Sequence, residues 1–244
     1  MGIMNWFKGL GKNTLYYPGC MLKGALTTEQ ENYKKILDKL GIEFIMLPFD
    51  EVCCGSPVLN AGYKKDAKKL AKKNYDLFKS RNIGKIITPC PGCYNMFKNV
   101  YPELVLEWDI EVEHATKVIL NELKYREIKL PVRETVTYHD PCHLGRFSRI
   151  YDEPREVIKL LGGELREMTH NRESALCCGA GGGLRANFPD TAKKIARKRV
   201  SEAPKNAIKI LTPCGLCYAN LKTADERSEE FSTFVLRKLE ELGL

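Results

Sequence analysis

Short apolar runs along this chain alternate with longer stretches in which apolar residues recur at helical spacing. Thr14–Tyr17 is predicted to be a short strand ending at Pro18-Gly19-Cys20. A helical pattern follows, with Thr28 as cap, Glu31 three residues on, Ile36, Leu37 and Leu40 on one face, and a stop at Gly41. Glu43–Leu47 is expected as a buried strand leading into the Cys53-Cys54-Gly55 loop. Asp66–Ser80 reads as an amphipathic helix, with Ala67, Leu70, Ala71 and Phe78 on the apolar side and lysines opposite. Lys85–Thr88 is a third strand, and the turn Pro89-Cys90-Pro91-Gly92-Cys93 opens another helix. Leu104–Trp108 and a helix around Val112–Leu123 close the first half.

The second half follows the same order. Strand Thr135–His139 meets Pro141-Cys142, helix Glu153–Leu161 stops at Gly162-Gly163, and strand Glu164–Met168 precedes Cys177-Cys178. Helix Leu184–Ala203, strand Ala207–Leu211, the Pro213–Cys217 turn and an amphipathic helix from Phe231 to Leu242 complete it. Strand–helix alternation implies parallel strands joined by right-handed crossovers. The expected fold is therefore α/β: two tandem duplicated Rossmann-like domains with parallel sheets, related by an approximate two-fold. The first is expected over residues 1–124 and the second over 132–244. The charged, proline-ended stretch at about 125–131 is the linker.

The decisive repeat is chemical. Cys20, Cys53, Cys54, Cys90 and Cys93 are matched by Cys142, Cys177, Cys178, Cys214 and Cys217, and these are all ten cysteines. Four of the five recur 124 positions on, the first 122 positions on. Val-Cys-Cys-Gly at 52–55 answers Leu-Cys-Cys-Gly at 176–179, and Thr-Pro-Cys opens both Cys-x-x-Cys turns. Such self-similarity marks a duplicated unit. In each copy the cysteines fall just after strands, and open α/β sheets bind ligands beyond the carboxyl ends of their strands. Five residues far apart in sequence can thus converge in one crevice.

Composition narrows what they do. Hydrophobic residues make up 43% of the 244, enough for packed cores. No apolar run is long enough to cross a membrane. The start, Met1–Leu10, is too short and mixed for a secretory signal; it reads as a frayed end, or alternatively as an amphipathic docking turn. Ten cysteines without such a signal argue for a reducing, cytoplasmic setting and against structural disulfides. The net charge of +8 gathers in Lys64, Lys65, Lys68, Lys69, Lys72 and Lys73 and in Lys193, Lys194, Arg197, Lys198 and Arg199. These are solvated helix faces or docking surfaces for an acidic protein or small anion. No aromatic interleaving points to nucleic acid.

Scattered structural cysteines would not keep this spacing, and one tetrahedral zinc needs only four ligands. Iron–sulfur binding fits best, because thiolates from several loops can surround a multi-iron core. Gly55, Gly92, Gly179 and Gly181 offer backbone free to approach such a cluster.

These residues resemble the CCG, or cysteine-rich, iron–sulfur family, whose pattern is a cysteine, Cys-Cys-Gly and Cys-x-x-Cys at similar gaps, twice over. The likeness runs from about Tyr16 to Leu221. Within the family the chain is similar to the B subunit of heterodisulfide reductase and the corresponding part of its D subunit, notably at 139–146, 151–155 and 177–183. The resemblance implies two [4Fe-4S] clusters of the non-cubane kind, one per repeat, which flank a disulfide and cleave it reductively. It implies electrons from a ferredoxin-like iron–sulfur subunit and a flavin subunit, since no ferredoxin-type cysteine run stands in this sequence. Two alternatives stay open. One is an electron-transfer subunit of a flavin-linked glycolate, lactate or glycerol-3-phosphate oxidase. The other is a zinc-stabilised interaction module.

His139 and His143 bracket Cys142, with no match around Cys20. They are candidates either for hydrogen bonding beside a cluster or for delivering a proton to a departing thiolate. Arg146, with Arg149 and Arg185, is a candidate for holding a substrate anion, or is surface arginine. His114 and His170 carry no pattern.

Overall fold

A computed structural model describes residues 11–47 and 49–244. Met1–Leu10 therefore lie outside the described residues. The first half runs β1 (Asn13–Tyr16), α1 (Cys20–Gly24), α2 (Thr27–Lys39), α3 (Ser56–Asn60), α4 (Lys64–Ser80), β2 (Ile83–Thr88), α5 (Pro91–Asn95), α6 (Tyr101–Leu104), β3 (Glu111–His114) and α7 (Ala115–Tyr125). The second runs β4 (Glu134–Tyr138), α8 (Asp152–Leu160), β5 (Gly163–Leu165), α9 (Leu184–Asn187), α10 (Pro189–Val200), β6 (Lys209–Thr212), α11 (Gly215–Leu221), β7 (Ser228–Glu230) and α12 (Phe231–Glu241).

Every strand pairing is parallel. The strand orders are β1-β2-β3 and β5-β4-β6-β7. Ile45 bridges Leu15 on the free side of β1, where β5 lies beside β4 in the second half. With that bridge included, both sheets share one topology, as duplication requires.

Strands covered on both faces need apolar residues at consecutive positions. Tyr16 and Ile87 face a central apolar cluster, while Leu15, Tyr17 and Ile86 face an outer one. The central cluster draws on both halves, from Ile36, Leu37 and Ile119 to Val157, Phe231 and Phe234. It forms because α2 packs on α12 and α7 packs on α8. The repeat exchanges these two pairs, which is the signature of a two-fold contact. Tyr33 Oη donates to Glu230 Oε1 at 3.1 Å across this seam, and Asn32 Nδ2 to Thr233 Oγ1 at 3.2 Å.

Several expected elements differ. Glu43–Leu47 is not a full strand but a single bridge, with Ile45 N donating to Thr14 O and Tyr16 N to Ile45 O. It lies at the sheet edge with Glu43 and Ile45 exposed, so only one face of it is covered. The helix expected around Val112–Leu123 is β3 followed by α7. His114 ends the strand and caps the helix by accepting from Thr116 N. Glu230 does the same between β7 and α12. Strands of three or four residues are too short to display a period of two. The helix expected over Leu184–Ala203 is broken at Phe188, because Pro189 lacks an N–H and restricts the residue before it. Thr28 does not cap α2, which begins at Thr27 without a side-chain cap.

Candidate metal centres

The loops that follow the strands bring each set of five cysteines into a continuous run of thiol contacts. In the first half the order is Cys20, Cys53, Cys54, Cys93, Cys90. In the second it is Cys142, Cys177, Cys178, Cys217, Cys214. Cys54, Cys93, Cys178 and Cys217 are buried, whereas Cys20 and Cys177 are exposed. No disulfide joins any of them; all ten are free thiols.

The electrostatics of five adjacent thiols resist full ionisation. Cys53 is driven down by hydrogen bonds from the thiols of Cys20 and Cys54 and from the Gly55 amide. Cys177 is driven down in the same way by Cys142, Cys178 and the Gly179 amide. Cys20 and Cys142 are pushed up, chiefly because each donates to the neighbouring sulfur that is driven down, and Cys93 and Cys217 are pushed up by hydrogen bonds to the sulfurs on either side and by burial. Several thiolates in one crevice need a compensating cation, and a multi-iron core supplies one. The donor set therefore fits an iron–sulfur group.

Tight backbone holds the sulfurs in place. Gly55 has φ 88° and Gly179 φ 82°, and their amides donate to Cys53 and Cys177 Sγ at 3.4 and 3.3 Å. Beyond the left-handed backbone, a methyl at Gly179 would sit 2.9 Å from Ala192 O. Gly92 lies beside Cys90 Sγ, and Gly181 stands in open space. Asn74 Nδ2 donates to Cys53 O at 3.1 Å, and Asn220 Nδ2 to Cys178 O at 2.7 Å. The sequence pattern of cysteines points to neither asparagine. Asn74 shares the apolar face of Ala67, Ala71 and Phe78, where a polar residue is a signal of a buried bond.

The first-cysteine loop of each repeat reaches the other repeat. A methyl at Gly215 on α11 would meet Leu26 and Leu22 of the Cys20 segment at 2.8 and 3.1 Å. Leu144 and Ile150, after Cys142, are buried in the same cluster as Cys93, Tyr94 and Phe97, and Asn99 Nδ2 donates to Phe147 O at 3.3 Å.

The flanking candidates separate. His139 is buried, its Nδ1 accepting from Arg199 Nε at 2.9 Å, and burial together with the Arg199 charge holds it down at about 3. A ring nitrogen of His139 and the sulfurs of Cys178 and Cys217 lie within 4.8 Å of one another. His143 is half-buried against Phe147, and burial pushes it down. Arg146 Nη1 donates to Ala175 O at 2.7 Å, while the residue as a whole stays exposed. Arg199, expected on a solvated basic face, is instead fully buried. It shares a face with Ala192 and Ala196, and that spacing was the signal for it. His114 is a buried cap bound to Pro89 O and Thr116, and His170 pairs with Glu202.

A family model described as "Cysteine-rich domain" matches residues 14–98 and 136–222, both halves with all ten cysteines. The chain belongs to this cysteine-rich domain family. It is 38% identical over 217 residues to the D subunit of the dihydromethanophenazine:CoB–CoM heterodisulfide reductase from Methanosarcina acetivorans, covering 86% of this chain and 53% of that one. It is 35% identical to the probable iron-sulfur-binding oxidoreductase FadF of Bacillus subtilis, covering 83% of this chain and 30% of that one. It is 31% identical to the EtfAB:quinone oxidoreductase of Syntrophomonas wolfei, with coverages of 83% and 30%. The chain thus spans about half the length, or less, of these relatives. Its similarity to iron–sulfur oxidoreductases supports a redox role and iron–sulfur clusters as cofactors. Among the described residues no helix is long and apolar enough to cross a membrane.

Proposed function

We propose that this chain is an iron–sulfur oxidoreductase component of the heterodisulfide reductase type, holding one [4Fe-4S] cluster of non-cubane form in each repeat and cleaving a disulfide reductively. The ligands would be Cys20, Cys53, Cys54, Cys90 and Cys93 in one repeat and Cys142, Cys177, Cys178, Cys214 and Cys217 in the other. The observation that carries this reading is the crossing of the loops: each repeat presents its first cysteine on a segment packed against the other repeat's Cys-x-x-Cys helix. When bound, such clusters exchange single electrons with sulfur. Cleavage of one disulfide takes two electrons, supplied by a ferredoxin-like or flavin-bearing partner, and two protons, and yields two thiols. His143 beside Cys142 would deliver one proton, and the outward face of Arg146 would hold an anionic group of the substrate.

The similarity to an EtfAB:quinone oxidoreductase supports a second reading, in which the same clusters carry electrons from a flavin protein toward quinone. The test is anaerobic purification with iron and sulfide analysis, then assays of the chain with its complex. Two clusters per chain and electron-donor-dependent release of thiols from a disulfide support the first reading. Two clusters with flavin-to-quinone transfer and no thiol release favour the second. Zinc without acid-labile sulfide overturns both and leaves the interaction module.

A further inference from the structure

We propose that Arg199 is a positioning residue that fixes His139 as an N–H donor to the sulfur of the cluster that the second pentad would hold, a device the first pentad lacks. The proposal rests on the reading that the pentads hold clusters. A guanidinium has protons on every nitrogen and no lone pair to offer. Because Arg199 Nε donates to His139 Nδ1 at 2.9 Å, Nδ1 must present its lone pair, and the proton of the neutral ring lies on Nε2. Nε2 is buried and has no partner among the protein groups described. A ring nitrogen lies within 4.8 Å of the sulfurs of Cys178 and Cys217, and Nε2 hydrogen-bonds to neither, which leaves its proton for a sulfur held among them. A ring held in this tautomer has no lone pair for a metal at Nε2. His139 therefore serves sulfur, and the grouping of His139 with two cysteines is not a three-ligand metal site.

Arg199 is itself held. Its Nη1 donates to His170 O at 2.7 Å and to Glu202 Oε2 at 2.6 Å, and the side chain is fully buried. The first repeat has neither group. Tyr17 stands where His139 does, its hydroxyl donating to Val52 O at 2.7 Å. On the matching face of α4, where Ala67 and Ala71 answer Ala192 and Ala196, Arg199 is replaced by Asn74, which donates to Cys53 O and Tyr101 Oη. Hydrogen bonds to cluster sulfur favour the reduced, more negative state. The second centre is accordingly the more easily reduced of the two, and electrons entering at the first run toward it.

The experiment uses the full chain loaded with iron and sulfide anaerobically, with redox titration followed by electron paramagnetic resonance and proton hyperfine measurements in H2O and D2O. Both clusters couple to exchangeable amide protons, since Gly55 N donates to Cys53 Sγ and Gly179 N to Cys177 Sγ. Wild type shows one further exchangeable proton, coupled to one cluster only, and that cluster has the higher midpoint. His139→Phe removes the coupling without loss of iron, and His139→Gln, whose amide nitrogen can replace Nε2, retains it. Arg199→Met weakens the coupling and lowers that midpoint by a tenfold change in the reduction equilibrium, about 59 mV for one electron. Arg199→Lys, which keeps a donor, restores both. Arg199→Met in the His139→Phe background adds far less than it does alone.

Absence in wild type of this further exchangeable proton, beyond the amide protons common to both clusters, overturns the proposal even if no Arg199 variant folds. So does a loss of iron in His139→Phe, which would make the ring a ligand, or an unchanged coupling and midpoint in folded Arg199→Met. Any of these with normal wild-type iron and sulfide leaves the cluster reading standing. Wild type without iron and sulfide overturns both.

Discussion

Arg155 grips Asp140 with both ends of its guanidinium, Nη1 to Oδ1 at 2.7 Å and Nη2 to Oδ2 at 2.9 Å, with both side chains almost fully buried. Asp140 Oδ2 also accepts from Arg172 N at 2.9 Å, and Arg155 stacks over Tyr138 at 4.9 Å. The pair thus ties the residue two before Cys142 to α8 and to the loop ahead of Cys177. Removing one member of a buried pair strands the other charge and costs about 3–5 kcal/mol. Glu167 also holds Arg155, so Asp140→Asn should fall near the lower end, read by anaerobic urea unfolding. A loss within error of zero would show that the pair only decorates the turn.

Cys53→Ser and Cys177→Ser should each disturb one cluster and spare the other, because each sulfur contacts thiols of its own repeat alone. Spectra of oxidised and reduced variants decide it. Loss of both signals from a single substitution would mean one shared cluster.

Gly179→Ala and Gly181→Ala should differ sharply. Gly179 combines φ 82° with a backbone oxygen 2.9 Å from the new methyl, whereas Gly181 has nothing within 4 Å. Strain at the first site should destabilise the chain by more than about 1 kcal/mol and reduce iron in the second centre. The second substitution should leave both unchanged. Equal behaviour would place the Gly179 turn outside the machinery that holds Cys177.

Glu230 makes the seam between the repeats sensitive to pH. Burial raises its carboxyl to about 7, against the hydrogen bonds from Ser232 and Tyr33 that favour the charge. A raised carboxyl favours folding most below its ordinary value, and that contribution is lost as pH rises through about 7. The difference is worth about 3 kcal/mol at about 1.4 kcal/mol per pH unit. Glu230→Gln, which keeps an acceptor for Ser232, should flatten the stability profile between pH 5 and 8 relative to wild type. Parallel profiles would place the titration elsewhere.

The exposed lysines of α4 and α10 give a docking prediction. Reversing Lys68, Lys69 and Lys72, or separately Lys193, Lys194 and Arg197, to glutamate should slow electron delivery in one case and not the other, since a single entry point suffices. The effect should fade as salt rises, because the Debye length is about 8 Å at physiological ionic strength. Rates that ignore both triple variants and salt would make these helices plain solvated surface. Lys69 and Lys72 already pair with Asp66 and Asp76 at 2.9 Å, which tempers the field they project.

Much of the site was legible because it is written in residues with no bland explanation. Ten cysteines in two matched sets declare the duplication, the parallel α/β halves and the convergence beyond the strand ends, since the order of elements and the chemistry of thiols are both local properties of the chain. The short strands Glu111–His114 and Ser228–Glu230 were illegible, for three or four residues do not show a period and their pairing partners lie far off in sequence. The break at Pro189 stands in the residues themselves, although the apolar period runs straight across it.

The asymmetry around the two centres divides the same way. His139 and His143 have no counterparts beside Cys20, and that difference stands in the sequence itself. The spacing of Arg199 with Ala192 and Ala196 puts it on the apolar face of α10, away from Arg197 and Lys198, but that this face meets His139 was decided only when α10 packed against the second sheet. A basic stretch and its helical spacing specify charge and face but not the partner. The side chain one step around the helix, on the face of Ala192 and Ala196, is carried into the core, where its charge is met by Glu202, a backbone oxygen and a histidine brought from sixty residues away.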